Sequence, residues 1–171
     1  MIVGLALIAL LASRGGHQRT SNPRAASVAA CARSPAPNLY SRLPRGIVAA
    51  PVDDVVAGFV ADQLNLPAEI ERRLDMRLLE SHGRRLALVV VMPVGRERQD
   101  VLGEFATRAR QTTGAKPRSV RLGRKSGTLF RLEVAGRRGS GLVTFVGCRA
   151  VLVGARSDGT VLALGGALAG R

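Results

Sequence analysis

Apolar residues recur along this chain at two spacings, one helical and one extended. In residues 51–67, PVDDVVAGFVADQLNLP, the side chains of Val55, Val56, Phe59, Val60 and Leu64 share one face at helical spacing. Asp53 and Asp54 suit the start of that helix as caps and as charges in its dipole field. Pro67 limits its continuation. Residues 97–114, ERQDVLGEFATRARQTTG, predict a second helix, with Val101, Leu102, Phe105, Ala106 and Ala109 on one stripe. Its acids come early and its bases late, as the macrodipole prefers, and Gly114 fits the position after the last turn. Residues 157–170, SDGTVLALGGALAG, predict a closing helix capped by Ser157 or Asp158, with Val161, Leu164 and Leu168 facing inward. Gly165 and Gly166 should weaken it by about 1 kcal/mol each.

Extended segments fill the intervals. In residues 73–93, RLDMRLLESHGRRLALVVVMP, the apolar Leu74, Met76 and Leu78 alternate with Asp75 and Arg77, which is strand period. Ile70, Leu74 and Leu78 also repeat every four residues, so a helix is the alternative for 73–81. The expected arrangement is a hairpin turning at Ser81-His82-Gly83, since glycine tolerates the positive φ of tight turns. LALVVVMP is uniformly apolar and rich in β-branched residues, and predicts a central strand covered on both faces. Three or four short strands should follow, SVRLG, TLFRLEVA, LVTFV and AVLVGA. The turns between them are expected at Arg124-Lys125-Ser126-Gly127, at GRRGSG (136–141) and at Gly147-Cys148-Arg149, a spacing that implies an antiparallel meander. The predicted fold class is α+β: an antiparallel sheet of hairpin plus meander, with helices packed mainly on one face.

Ahead of this body, residues 1–12, MIVGLALIALLA, form the one strongly apolar run. As a helix it would span about 18 Å, short of the roughly 30 Å hydrocarbon core. That length matches the apolar region of an export signal or a short anchor touching the membrane, although no basic stretch precedes it. The competing reading is the apolar terminus of a cytoplasmic protein. Residues 13–46 are rich in Gly, Ser, Pro, Asn and Arg without apolar periodicity, and predict a disordered linker. A single domain is expected over 47–171.

Charge alters the picture less than its size implies. The net charge of +14 divides into +6 over residues 1–46, −2 over 47–95 and +10 over 96–171. All bases but Lys116 and Lys125 are arginine, amid abundant Ala, Val, Gly and Leu, the composition a GC-rich coding sequence produces. A basic surface still attracts anionic partners, and Arg121, Arg124, Lys125, Arg137 and Arg138 on the meander turns are the candidate anion-binding residues. Nucleic-acid binding by stacking is disfavoured, because Phe59, Phe105, Phe130 and Phe145 fall on predicted apolar faces and Tyr40 lies in the linker.

Catalytic constellations are absent from the pattern. His17 falls in the linker and His82 at a hairpin tip, neither beside a nucleophile. Two cysteines and two distant histidines make a structural metal unexpected, and no cofactor is implied. Ser140 in RGSGL does not complete a nucleophile elbow. LGRKSG departs from the phosphate-loop pattern, since Arg124 stands between Gly123 and Lys125. Asp53 and Asp54 are accounted for by capping, and Glu133 alternates with Arg131 as a cross-strand charge.

The two cysteines bear on compartment. Cys31 ends VAAC, which resembles a bacterial lipobox, yet Arg14, His17, Arg19 and Arg24 separate it from the apolar run. Cys31 is therefore a candidate for lipidation, for a disulfide with Cys148 in an oxidising compartment, or for a free thiol, with Cys148 then a small apolar filler.

The order LALVVVMP, VLGEFATRARQ, VRLGRKSGTLFRLEV, LVTFVGCRAVLVGA and a closing helix, over residues 84–170, resembles the PsbP-like α/β module. That module is found in photosystem-associated proteins and in small exported actinobacterial lipoproteins. The resemblance implies a binding or assembly factor without catalysis, and it transfers no functional residue. The functional expectation is a non-catalytic, exported or envelope-associated binding or assembly module, whose partner is a protein or an anionic envelope component. The alternative is a cytoplasmic basic protein that binds nucleic acid.

Overall fold

Ten consecutive residues from Arg84 to Pro93 form strand β3, and from Ala87 onward all of them are buried. Side chains alternate across a strand, so a run this apolar requires cover on both sides. The computed structural model describes residues 30, 31, 33, 38–54, 57, 74–94, 102, 103, 106, 107, 110, 113–134 and 137–170. Seven strands make one wholly antiparallel sheet: β1 (Ile47–Pro51), β2 (Asp75–Ser81), β3, β4 (Arg118–Leu122), β5 (Lys125–Val134), β6 (Arg137–Val146) and β7 (Arg149–Ala155). Their spatial order is β1-β2-β3-β7-β6-β5-β4. Two meanders, β1 to β3 and β4 to β7, therefore join along the β3–β7 seam.

Helix α1 (Asp158–Ala169) packs on β6 and β7. Val89, Val91, Leu142, Val151 and Val153 meet Val161, Leu164 and Leu168 there. Leu88, Val90, Met92, Val143 and Leu152 form a second cluster on the opposite face, against which Ala57 and Leu102 pack. The central strands are consequently dry on both sides, as the pattern of β3 required.

The expected α+β class with helices mainly on one face is overturned. The described residues are mostly sheet, and α1 is the one helix whose whole extent lies among them. It covers the face opposite the one met by Ala57 and Leu102. The expectation failed because the strands are longer than their apolar cores. GRRGSG was expected to be a turn, but Arg137 to Gly141 are paired within β6, and Lys125 to Gly127, expected in the preceding turn, open β5. Gly127 fits there because a Cβ would stand 3.0 Å from both Leu122 and Leu142. Pro51, expected to open a helix, ends β1, and β1 itself had no clear sequence signal.

Other expectations hold. Residues 75–81 are a strand, not a helix. Ser157 caps α1, its side chain accepting from the Thr160 amide. Gly114 adopts φ 68° and donates to the Arg110 carbonyl at 2.8 Å. The predicted linker is partly built into the body: Tyr40–Arg42 form a 3-10 turn and Leu39 is 1% exposed. Residues 1–29, with the apolar run and His17, lie outside the described residues, as does most of 55–73.

Candidate functional site

Register gathers arginines that sequence scatters. Ala87 of β3 pairs with Ala155 of β7, and Ala155 pairs with Ser140 of β6, so the last rung shared by these three strands lies there. Just beyond that line come Arg85 and Arg84 on β3, Arg156 after β7, and Arg138 and Arg137 on β6. With strands about 4.8 Å apart, the three backbones span about 10 Å. Arg84, Arg85, Arg138 and Arg156 are all exposed. We refer to this end of the sheet as the arginine pole. Its β2–β3 tip is tight because His82 (φ 49°) and Gly83 (φ 70°) both take the left-handed conformation, the mirror-image turn that suits strand twist. Arg85 lies 3.7 Å from Glu80, a loose exposed pair that restrains it little.

Beside the pole, one carboxylate organises the start of α1. Asp158 meets Arg131 at 2.9 Å and Arg118 at 3.2 Å, and the buried Ser140 hydroxyl donates to it. The helix start carries partial positive charge, so Asp158 is stabilised from two directions. Among the described acids, Asp75, Glu80 and Asp158 each have an arginine partner, and Glu133 on β5 stands opposite Arg138 in the ladder.

The opposite end is built for holding the chain. Cys31 and Cys148 form a disulfide, with Cα atoms 5.8 Å apart, at the β6–β7 turn. Arg149, 8% exposed, donates from Nη2 to the Cys31 carbonyl at 3.2 Å. The Val94 amide donates to the Cys148 carbonyl at 3.0 Å. The end of α1 also lies here. Its last carbonyls, which a helix cannot satisfy internally, accept from Lys125 at Ala169 (2.6 Å) and from Arg42 at Leu168 (3.4 Å). An open groove of about 660 Å³ runs past Arg42, Pro44 and Lys125 over a floor of Ala163, Ala167 and Ala169. We call this end the disulfide pole.

The five arginine and lysine candidates therefore do not form one site. Arg137 and Arg138 fall at the arginine pole. Arg124 and Lys125 lie at the disulfide pole, Lys125 as a helix cap, and Arg121 is exposed on edge strand β4 next to that turn. The ten residues of β5 separate the two ends by about 30 Å. The sequence reading missed Arg84, Arg85 and Arg156. Only pairing between distant strands brings these to Arg138. With Cys31 in the disulfide, its Sγ is not available for a thioether to lipid.

Near the disulfide pole, Tyr40 packs under Arg77, whose guanidinium carbon is 5.9 Å from the ring centre. Tyr40 Oη is enclosed with no hydrogen-bond partner among the described residues. Arg77 and Asp75 bond each other instead, at 2.8 Å. Burial, then the Asp75 charge, push the phenol far above its ordinary range, with Arg77 opposing. The Asp75 hydrogen bond and charge raise Arg77 in turn.

His82 is exposed in its turn, and Asp53 and Asp54 are exposed, the Asp53 carbonyl accepting from the Ala57 amide at 2.9 Å. Among the described residues, no three of His, Cys, Asp and Glu converge as metal ligands, and no helix is long and apolar enough to cross a membrane. No family model, curated protein or solved structure matches the chain, so the reading of this site rests on its own chemistry.

Proposed function

We propose that this protein is a non-catalytic, exported or envelope-associated binding or assembly module that holds an anionic component of the envelope at its arginine pole. The observation that carries the reading is the row formed by Arg84, Arg85, Arg156 and Arg138 across three neighbouring strands. Guanidinium groups offer paired donors that match phosphate and carboxylate oxygens, and a row of them engages several charges at once. The disulfide supports an oxidising compartment, and the apolar run at residues 1–12 supports export. The resemblance to PsbP-like modules points the same way. Among the described residues, the aromatics give no support to stacking on single-stranded nucleic acid, since Phe130 is buried, Phe145 packs against the core and Tyr40 lies under Arg77.

Linear polyphosphate is a suitable probe of the shared chemistry. The oxidised full chain should bind it at about 50 mM salt, with affinity falling steeply as salt rises. Substituting Arg84, Arg138 and Arg156 together by Ser should weaken binding at least about tenfold and flatten the salt dependence. Absence of binding at low salt, or an unchanged affinity in the triple variant, refutes the proposal.

A further inference from the structure

We infer that the arginine pole faces away from the surface that holds the N-terminal segment, and that its partner is a linear anionic polymer rather than the headgroups of the membrane. The inference rests on the function proposed above and deepens it by separating two sources of the same anionic chemistry. Its starting point is covalent. The disulfide and the Arg149 hydrogen bond fix Cys31 at one end of the sheet, so the chain that precedes it departs from that end. The guanidinium row lies at the other end, about 30 Å along β5.

Two considerations keep the ends apart in action. Residues 1–46 carry arginines and no acid, so this segment has no charge attraction to the arginine pole. The Debye length at physiological ionic strength is about 8 Å, so an anionic bilayer touching the disulfide pole exerts almost no pull across the body. The site is a rim and not a single face: Arg84 and Arg85, Arg156, and Arg138 follow one another across the ends of adjacent strands and leave the sheet on alternating sides. An extended chain of repeating phosphates or carboxylates can run along such a rim.

Arginine footprinting of the oxidised full chain with phenylglyoxal, read by peptide mass spectrometry, tests this. The chain is compared free, with phosphatidylcholine vesicles, and with vesicles containing phosphatidylglycerol, each with and without linear polyphosphate. The chain should sediment with the vesicles, and these should protect Arg33, exposed two residues after Cys31, and Arg124, while leaving Arg84 and Arg156 as reactive as in the free protein. Polyphosphate should then lower the reactivity of Arg84 and Arg156 several-fold on the vesicle-bound chain. Protection of Arg84 and Arg156 by vesicles alone overturns the inference while leaving the anion-binding reading standing. Failure of the chain to sediment with either vesicle overturns it as well. Failure of polyphosphate to protect these arginines in the free chain strikes the anion-binding reading itself, and the inference falls with it.

Discussion

Gly165 on α1 lies directly against Leu142 on β6: a Cβ at position 165 would clash with Leu142 Cδ2. By propensity alone the glycine weakens its helix by about 1 kcal/mol. In the fold it sets how closely the helix approaches the sheet, because the fully buried Leu142 lies beneath it. Gly165→Ala should therefore destabilise by about 1–3 kcal/mol despite alanine's better helix propensity. Urea denaturation of the two proteins measures the difference, and a stabilised variant would show that helix and sheet part more easily than this packing implies.

The disulfide closes a span of 117 residues. Constraining the unfolded chain over that span is worth about 4–5 kcal/mol in the loop-entropy model. Denaturant midpoints should fall accordingly on reduction, and by a similar amount in Cys148→Ser. Chain isolated without reductant should show no free thiol after denaturation. Two titratable thiols per chain would contradict the pairing.

Asp158→Ala should cost about 1–3 kcal/mol, since it strips the buried Ser140 hydroxyl of its acceptor and removes the partner of Arg131 and Arg118. Arg118→Ala, at a side chain 66% exposed, should cost less than about 1 kcal/mol. Thermal unfolding of both variants checks the order, which is the informative part.

Tyr40 is the one tyrosine in a chain without tryptophan, so its phenolate absorbance is a clean reporter. The native phenol should stay protonated through the ordinary tyrosine range, because burial raises its pKa. Above about pH 10 the unfolded chain releases this proton while the native chain keeps it. The unfolded state then binds fewer protons than the native one, and stability falls as pH rises. Tyr40→Phe should remove that part of the alkaline loss and leave stability near neutral pH unchanged or slightly improved, since the enclosed hydroxyl has no partner among the described residues. Absorbance titration together with urea midpoints at about pH 8 and about pH 11 tests both statements.

How much of this was legible in the sequence differs from element to element. LALVVVMP announced burial on both faces because no polar residue interrupts it, and the Ser157 cap and the turn at His82-Gly83 carry local chemistry that needs no tertiary context. The ends of β5 and β6 were hidden by Gly, Ser and Arg, residues that read as turn formers. In the fold Gly127 makes room for Leu122 and Leu142, and Ser140 bonds Asp158. The side on which the closing helix packs was missed because a helical pattern does not say which face its helix will meet. The arginine pole was illegible for a related reason. Arg84 and Arg156 are distant in sequence, and only the pairing of β3 with β7 makes them neighbours. The disulfide had been an open alternative, since two cysteines alone do not say whether their backbones approach.

The central claim is that anion recognition belongs to one end of the sheet. The most direct measurement compares two double variants of the oxidised full chain in polyphosphate titrations at several salt concentrations. Arg84→Ser with Arg156→Ser should weaken binding at least about tenfold and reduce the salt slope by about two. Arg121→Ser with Arg124→Ser, which removes the same charge near the opposite end, should change binding less than about twofold. Equal losses in the two variants would mean that net charge alone attracts the polyanion, and would contradict the account.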